Sequence, residues 1–523
     1  MASTAAIDSD ILATLETIVG RQYLRTDKGE RQFYGTDVFR AGQLPAAVIL
    51  PGSIDELQNI IRIAARHAIP LTVRGGGASY TDGYTHAAPG GFTIGTDRLV
   101  AIDIDEAKSV VTVEAGVTWA QLYESLKDKG LRTPFWGPFS GLAATVAGSV
   151  SQNAISHGGG VSADSVLTMD IVTGTGELLQ TGSSGSTVPS PFFRHYGPDL
   201  AGLFTGDCGT LGIKARITLK LIARHTAFDA LSFSFPNFAA MHLAMAEIAV
   251  LGIDDENFGL DAALQQGQIG RNEGASAKAG IARHVLKSSA SFGAGMKTLA
   301  KMAIAGDRAL KSADYAVHYL TDGVSDIDAK EKGAAIRAVA SRYGTEIANS
   351  VPIVVRAMPF APLANMLGPK GERWVPMHGL FAHDAVVPFH NALDAFWEER
   401  RAEMDRHSIY TGAMFMAVGS AGFVYEPAFY WPDARHIVHE RMMPAEHLAS
   451  LPDHPPAPEA SDLVVQLRRQ ITELMMQFGA AHLQIGKVYP YLTGRNAASV
   501  ALLRAIKTEL DPKNILNPGA LGL

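Results

Sequence analysis

The sequence predicts a mixed α+β fold with more than one domain. The chain has 523 residues, which is more than one hydrophobic core usually holds. Helix and strand signals are interleaved through the first third without a fixed repeat, a pattern typical of α+β domains. The composition changes near Arg224, and residues 267–305 are rich in Ala, Gly, Lys and Ser with weaker periodicity.

Charge and composition narrow the class of protein. Hydrophobic residues make up 47% of the chain and charged residues 19%, which is the balance of a globular protein. The net charge of −7 and the lack of a basic run argue against a nucleic-acid partner. No apolar stretch approaches 18 residues and no charged start precedes the apolar N-terminal positions, so we expect a cytoplasmic protein without a membrane span. The single cysteine, Cys208, cannot form an internal disulfide.

The first elements are marked by local signals. Ser53 and Glu56 have the spacing of a capping box, and apolar residues follow at helical spacing. This helix should end near His67, because Ile69 precedes a proline and is pushed toward extended geometry. Residues 69–74 then predict a short buried strand that runs into three glycines.

Two more strands and a second capped helix follow. Residues 101–105 and 110–115 are predicted to be strands joined by a short polar turn. Thr118 and Gln121 form a second capping-box pair. Gly130 is placed to end the helix that they begin.

The region after Arg224 predicts a separate domain in which helices cover a sheet. Residues 231–235 have a strand pattern, and residues 241–249 and 391–407 have helical patterns. Four prolines between residues 452 and 458 are typical of a linker and mark its end. Helical patterns follow at residues 461–477 and 497–510.

A glycine-rich segment, residues 74–83, can bind an anion. Three consecutive glycines can take positive φ and expose backbone N–H groups, while Ser79 and Thr81 add hydroxyls and Arg74 adds charge. Taken alone, the segment is more typical of an ordinary surface turn. It is neither a Walker loop nor the spaced-glycine dinucleotide motif.

Two further glycine-rich segments, residues 148–160 and 206–213, accompany it. Small side chains there allow the backbone to lie flat against a ring. Cys208, in the second segment, is interpreted as a small buried side chain in a tight turn.

Together these segments resemble the FAD-binding domain of the vanillyl-alcohol oxidase and p-cresol methylhydroxylase superfamily. The resemblance covers roughly residues 45–223 and 461–523. It also rests on residues 51–53, 170–181, 197–199, 203–204 and 510–519. It implies an α+β protein with a PCMH-type FAD-binding domain at residues 45–223 and a cap with an antiparallel sheet at 224–455. Residues 1–44 would precede them, and residues 456–523 would return to the FAD site.

The resemblance also implies which residues contact FAD. They are Arg74, Gly75, Gly76, Gly77, Ala78, Ser79, Tyr80, Gly83, Pro138, Gly148, Ser149, Asn153, Gly158, Cys208, Gly212, Ile213 and Asn517.

Non-covalent FAD is expected. The position that carries a flavin-linked histidine in some relatives is Ala78 here, and Cys208 lies in the wrong segment for the second known tether. The comparable cap stretch, residues 417–425, has no histidine. Tyr425 and the cap histidines His378, His383 and His390 stay open as alternatives.

An aromatic substrate, a para-substituted phenol or an aryl alcohol, is predicted from the tail. Lys487, Tyr489, Tyr491 and Arg495 lie within nine residues, and such a cluster can stabilise a phenolate; the alternative is a packed aromatic strand with an exposed arginine. The acidic residue that relatives carry near flavin N5 is missing. His157 takes a neighbouring place, either as a base or as a partner for backbone groups.

Two other functions are weighed against this one. An FAD-dependent D-2-hydroxy-acid dehydrogenase is the alternative, although the histidine motif of such relatives is absent and no metal site is expected. A flavin-free binding protein is a second possibility, which a colourless purified protein would indicate. The electron acceptor is expected to be oxygen or a redox protein, and the superfamily often forms homodimers.

Overall fold

The computed structural model describes residues 9–155, 160–265 and 313–523. Its helices are α1 Ser9–Val19, α2 Lys28–Tyr34, α3 Ile54–His67, α4 Trp119–Lys127, α5 Val146–Gln152, α6 Leu200–Leu203, α7 Phe238–Leu251, α8 Asp326–Ala340, α9 Ser350–Ala357, α10 His383–Arg406, α11 Ile437–Met442, α12 Ala445–Ser450, α13 Pro458–Gln477 and α14 Ala497–Leu510. The predicted stretch at residues 267–305 lies outside the described residues.

The strands fall into three main sheets and one short pair. They are β1 Leu24–Arg25, β2 Ala47–Ile49, β3 Leu71–Arg74, β4 Phe92–Gly95, β5 Ile102–Asp105, β6 Val110–Glu114, β7 Leu131–Arg132, β8 Val166–Val172, β9 Leu178–Gln180, β10 Ile213–Lys220, β11 Ile222–Ala223, β12 Ala227–Phe235, β13 Glu256–Asp261, β14 Tyr315–Gly323, β15 Thr345–Ile347, β16 Arg373–Pro376, β17 Gly379–Ala382, β18 Tyr410–Val418 and β19 Gly422–Trp431.

The first sheet has the order β1-β2-β4-β3, and β4 runs parallel to both of its neighbours. Helix α3 crosses between β2 and β3, and it ends at His67, as predicted. Ser53 caps it by accepting the N–H of Glu56 at 3.1 Å. The Glu56 carboxylate instead accepts the N–H of Gly52 at 2.7 Å, so the predicted capping box closes one residue earlier than the motif requires.

The second sheet is antiparallel, in the order β5-β6-β10-β8-β9. Thr118 and Gln121 form the predicted capping box at the start of α4. The helix ends at Lys127, three residues before Gly130. Gly130 closes the turn beyond it with φ +67° and donates its N–H to the carbonyl of Lys127.

The third sheet is antiparallel and has the order β15-β12-β14-β13-β18-β19-β16, with β17 also paired to β19. Its strands alternate between two faces. On β19, Phe423, Phe429 and Trp431 point into a core shared with α7, α8, α10 and α13. Glu426 and Tyr430 point to the other face, which carries no helix from this core and lines a cavity. We call this sheet and its helices the cap.

The C-terminal segment is divided between the two parts of the molecule. Helix α13 packs into the core of the cap through Leu463, Leu467 and Ile471. Residues 510–523 instead dock on the first sheet, where the N–H of Leu71 donates to the carbonyl of Ile515 at 2.7 Å. Earlier residues of the segment also contact the glycine-rich loop, since the N–H of Lys487 donates to the carbonyl of Thr81 at 3.0 Å. The domain boundaries stay predictions.

A buried ion network joins the cap to the glycine-rich part of the chain. Arg132 lies 2.5 Å from a carboxylate oxygen of Asp255 and 3.3 Å from one of Asp322. Arg356 is ion-paired with both carboxylates. Trp136 donates its indole N–H to Asp255 at 2.7 Å. Because these charges share partners and are largely shielded from water, loss of one member leaves the cluster with an unbalanced charge.

Asp255→Asn is expected to lower the free energy of unfolding by about 2–3 kcal/mol at pH 7. Although burial opposes ionisation, Arg132 and Arg356 hold the pKa of Asp255 below its ordinary value. The stabilisation is therefore complete above the unfolded pKa, near 4, and is lost as the pH falls through the lower folded pKa. Urea unfolding of Asp255→Asn, compared with that of the exposed control Asp103→Asn, measures this loss of stability. Equal stabilities of the two variants would contradict a role for the network.

No helix among the described residues is long and apolar enough to cross a membrane.

Candidate functional site

A cavity of about 1310 Å³ lies between the open face of the cap sheet and the glycine-rich segments. Ligand pockets usually measure about 300–1,000 Å³, so this one can hold a large cofactor together with a small substrate. Residues 75–80, the start of α5 and residues 208–213 form one side of it. Strands β13, β14, β18 and β19 and helix α9 contribute to the other.

The glycine-rich loop has the properties of an anion cradle. Within the described chain, no backbone N–H from Gly75 to Tyr80 donates to another protein group. Buried N–H groups normally have partners, so this row is available to a ligand on the cavity side. Gly76 allows the loop to press against the neighbouring segment, since an added Cβ would lie 1.5 Å from the carbonyl oxygen of Ala143. Gly77 has φ +75°, a conformation that favours glycine.

The loop is held in place by the segment between α2 and β2. The buried carboxyl of Asp37 accepts N–H groups from Phe39, Arg40 and Asp82 at 2.8–2.9 Å. Burial, with the nearby charge of Asp82, raises the pKa of Asp37 to about 7. The Tyr84 hydroxyl donates to the carbonyl of Gly77 at 3.1 Å. Residues 37–84 therefore form one hydrogen-bonded unit around the cradle.

Helix α5 and the Cys208 turn form the next wall. Thr145 caps α5, which places Gly148 and Ser149 at the cavity, and Trp119 donates its indole N–H to Ser149 Oγ at 2.8 Å. Cys208 has φ +53°, and burial raises the pKa of its thiol to about 12. A thiol of this kind is not a nucleophile at neutral pH, which agrees with its interpretation as a small buried side chain.

The C-terminal Asn517 connects these segments. Its amide donates to the carbonyls of Gly83 at 2.8 Å and Cys208 at 2.6 Å. Its carbonyl oxygen accepts from Lys487 at 2.5 Å, and its own N–H donates to Leu71. One buried side chain thus ties the glycine-rich loop, the Cys208 turn and the tail together.

Most of the predicted flavin-contacting residues line this cavity. They are Gly75, Gly76, Gly77, Ala78, Ser79, Tyr80, Gly83, Pro138, Gly148, Ser149, Cys208, Gly212, Ile213 and Asn517. Two do not. Arg74 turns behind the loop, with its guanidinium 4.1 Å from the centroid of the Phe33 ring, and Asn153 ends α5 with φ +47°. His157 and Gly158 lie outside the described residues.

The predicted tail cluster is dispersed. Tyr489 is buried next to the cavity wall, and its hydroxyl accepts the N–H of His378 at 2.9 Å. Tyr491 packs in the cap core rather than in the cavity wall. Arg495 is exposed, with its guanidinium 3.9 Å from the centroid of the Tyr491 ring. The arginine that comes near Tyr489 is Arg468 of α13, whose charge acts to lower the pKa of that tyrosine.

The sequence reasoning missed two polar groups that the cap contributes. His318 on β14 lies 2.8 Å from Ser232 Oγ through Nδ1, and its buried Nε2 has no protein partner within the described chain. Burial lowers the pKa of His318 to about 3, so it is neutral at physiological pH. Glu426 on β19 also lines the cavity, and burial raises its pKa to about 7. Period-two alternation marks Glu426 as belonging to the face opposite Phe423 and Phe429, which is a signal that the sequence does contain.

The alternative covalent anchors lie away from the cavity. Tyr425 is on the helix-covered face of the cap sheet, with its hydroxyl 2.9 Å from His390 Nδ1. His383 lies 3.2 Å from His242, and His378 Nε2 lies 2.6 Å from the carbonyl of Leu483. None of these groups lines the cavity wall as described.

The glycine-rich part of the chain and its tail match two FAD-related family models. Residues 45–182 match the family described as "FAD binding domain", and residues 487–521 match "FAD linked oxidases, C-terminal domain". The chain therefore has the PCMH-type fold that its sequence predicts, and FAD is its cofactor. No group of His, Cys, Asp and Glu in the described residues is arranged to hold a metal ion.

Curated relatives match part of the chain. The Bacillus subtilis (strain 168) protein "Glycolate oxidase subunit GlcD" is 28% identical over 46% of this chain and 51% of its own length. A D-2-hydroxyglutarate dehydrogenase of Xanthomonas citri is 28% identical over 49% of this chain and 53% of its own. The 1'-carboxy-chondrochloren decarboxylase of Chondromyces crocatus is 31% identical over 41% and 40%. The chain spans about half the length of the first of these relatives.

Solved structures match over the whole chain. A 4-ethylphenol oxidase from Gulosibacter chungangensis has a TM-score of 0.73 at 16% identity, covering 100% of this chain and 98% of that one. p-Cresol methylhydroxylase has a TM-score of 0.71 at 15% identity, covering 98% and 96%. At these identities the likeness establishes the fold, so the reaction and the substrate must be inferred from the site.

Proposed function

We propose that this protein is an FAD-dependent oxidase or dehydrogenase that takes a hydride from a para-substituted phenol or an aryl alcohol. FAD, when bound, supplies the acceptor for the hydride. The observation that carries the proposal is the character of the cap side of the cavity. Its wall is mainly apolar and aromatic, formed by Phe258, Leu260, Leu264, Val351, Val354, Val355, Met358, Phe360, Trp374, Met414, Met416 and Tyr430.

The charges at the cavity favour a substrate without a carboxylate. No Arg or Lys of the cap lines the cavity within the described residues. Lys214, from the glycine-rich part, is buried and paired with Asp207 at 2.5 Å. His318 is neutral because of burial, and Glu426 would repel an anion. Carboxylates are usually recognised by cationic partners, so this wall suits an aromatic ring better than a 2-hydroxy acid.

The side chains of the cap have distinct proposed roles. The apolar wall excludes water and strengthens the electrostatic interactions inside. His318 Nε2, which has no protein partner among the described residues, can hydrogen-bond a substrate hydroxyl. Tyr489 stays protonated, since burial raises its pKa to about 12. For His157, Tyr489, Tyr491 and Arg495 the predicted catalytic roles stay proposals, and Tyr489 is the described member closest to the site. We likewise propose that the flavin is bound non-covalently and that oxygen or a redox protein accepts its electrons.

A D-2-hydroxy-acid dehydrogenase is the second candidate. It is favoured by the curated relatives, several of which are named as glycolate, D-lactate or D-2-hydroxyglutarate enzymes. Those matches cover less than half of this chain, so they do not include the whole cap. The two candidates differ in the ligand that the cap must bind.

Anaerobic mixing with 4-alkylphenols or aryl alcohols is expected to bleach the flavin absorbance, while D-lactate and D-2-hydroxyglutarate leave it unchanged. The physical reason is that no Arg or Lys of the cap lines the cavity within the described residues. Stopped-flow absorbance measures the rate of reduction for each compound. Bleaching by the hydroxy acids alone would overturn the proposal in favour of the second candidate.

A further inference from the structure

The cavity wall includes one carboxyl group, that of Glu426, and three aromatic rings, those of Tyr80, Trp374 and Tyr430. Trp374 on β16 and Tyr430 on β19 are cross-strand partners, and Glu426 and Tyr430 share one face of β19 because they are separated by an even number of residues. Tyr80 from the glycine-rich loop lies edge-on to Trp374, with the ring centroids 5.9 Å apart. All four residues line the cavity.

The Glu426 carboxyl has no cation to pair with. Within the described chain it makes no hydrogen bond or ion pair. Its nearest titratable neighbours are the hydroxyls of Tyr80 and Tyr489, whose pKa values it helps to raise. Arg468 donates to the backbone carbonyl of Tyr80 at 3.3 Å and does not pair with Glu426. Arg468 is 4% exposed and its guanidinium stacks 4.4 Å from the centroid of the Phe39 ring.

A buried carboxylate without a partner is unfavourable. Burial alone raises the pKa of Glu426 to about 7, so the group is divided between its neutral and ionised forms at physiological pH. A bound cation would favour the ionised form by its charge and hydrogen bonds. The surrounding rings would add cation–π attraction, which grows when the cation is desolvated.

We propose that Glu426, Tyr80, Trp374 and Tyr430 form a binding site for an organic cation, namely an amino group carried by the aromatic substrate. This inference rests on the proposed function for the identity of the substrate, but the binding of a cation to this site is independent of any reaction. In this arrangement the amine of an arylalkylamine lies next to Glu426. The apolar wall of Phe258, Met414 and Met416 is then left for the other apolar parts of the substrate.

The preference is measured with tyramine against 4-propylphenol, which has the same number of heavy atoms but no charge. Binding to the FAD-loaded protein is followed by the flavin difference spectrum under anaerobic conditions. At pH 8 we expect tyramine to bind at least tenfold more tightly than 4-propylphenol. A carboxylate and a cation–π contact together provide a preference of about 10–100-fold. The preference should shrink toward pH 6, because protonation of Glu426 removes its charge.

Glu426→Gln should abolish this preference while leaving the affinity for 4-propylphenol unchanged. The matched control is Glu372→Gln. Glu372 is also buried, but it accepts the N–H of Lys370 at 2.7 Å and does not line the cavity. Equal binding of tyramine and 4-propylphenol to the wild-type protein, or an unchanged preference in Glu426→Gln, would overturn the inference.

Phenethylammonium, which has no phenol group, separates this inference from the proposed function. If no phenol reduces the flavin but phenethylammonium still binds in a Glu426-dependent manner, the proposed reaction fails and the cation site stands. If phenols reduce the flavin and neither amine shows a Glu426-dependent advantage, the reaction stands and the cation site is refuted.

The stability of Glu426→Gln gives a readout that needs no ligand. The variant should be more stable than wild type at pH 8 and equal to it at pH 4, since ionisation of the buried carboxyl disfavours the folded state as the pH rises.

Discussion

Gly76→Ala is expected to yield a folded protein that contains no FAD. The added Cβ would overlap the carbonyl oxygen of Ala143, at 1.5 Å, and neither partner can move away easily because both are backbone-defined. The loop must therefore shift, and the row of N–H groups from Gly75 to Tyr80 loses its alignment toward the cavity. An anion cradle acts through several convergent donors, so we expect the affinity for FAD to fall by about 100-fold or more.

The ratio of flavin absorbance to protein absorbance in the purified variant measures this loss, and titration with added FAD measures the affinity. Circular dichroism shows whether the chain is folded. Gly29→Ala is the matched control, since a Cβ there lies 3.5 Å from its nearest neighbour, in ordinary contact. A Gly76→Ala protein that keeps a full complement of FAD would show that this loop is not the cradle.

Asn517→Leu is expected to lower the free energy of unfolding by about 2–4 kcal/mol and to weaken FAD binding. The substitution leaves the carbonyls of Gly83 and Cys208 without their donor and removes one acceptor from Lys487. That ammonium is buried, and desolvation lowers its pKa to about 8. The loss of an acceptor therefore costs more stability than it would at the surface. Leucine also tolerates the φ of +41° poorly.

Asn517→Asp refines this result, because aspartate keeps the acceptor for Lys487 but lacks the two donors. Asn514→Asp is its control: Asn514 is exposed and has φ +49°, so it shares the backbone conformation without the buried bonds. Chemical denaturation with and without FAD separates the loss of stability from the loss of affinity. Equal stabilities of Asn517→Asp and Asn514→Asp would contradict the importance of the two donated bonds.

Local elements of this protein could be predicted because their signals are local. Helix α3, helix α4 with its capping box and helix α14 follow from caps and apolar spacing within a few residues. The glycine-rich segments follow from the need for close backbone approach and positive φ, and the resemblance that they carry identifies FAD. The boundary errors, such as the end of α4 before Gly130, arise because a turn can be closed by more than one residue.

The candidate site was only partly predictable. The prediction from tail spacing grouped Tyr489, Tyr491 and Arg495, because they are neighbours in the chain. In the folded protein Tyr489 is buried in the core of the cap, while Arg495 stays at the surface. The arginine near Tyr489 is Arg468, 21 positions away in the numbering, and it comes there only because α13 packs into the cap.

The sequence by itself determines the class of this protein, since the residues that bind FAD must be small, contiguous and in a set order. The tertiary structure decides which side chains of the cap face the cavity. Glu426 and His318 lie on different strands of an antiparallel sheet, more than 100 positions apart, and period-two alternation assigns each to a face without saying what covers that face. Only the packing of helices on one side of the sheet and the cavity on the other places the Glu426 carboxyl in the cavity wall, without a hydrogen-bond partner among the described residues. The residues that face the substrate are therefore brought together only by the folding of the cap. The cofactor, in contrast, can be recognised from the sequence of the glycine-rich loops.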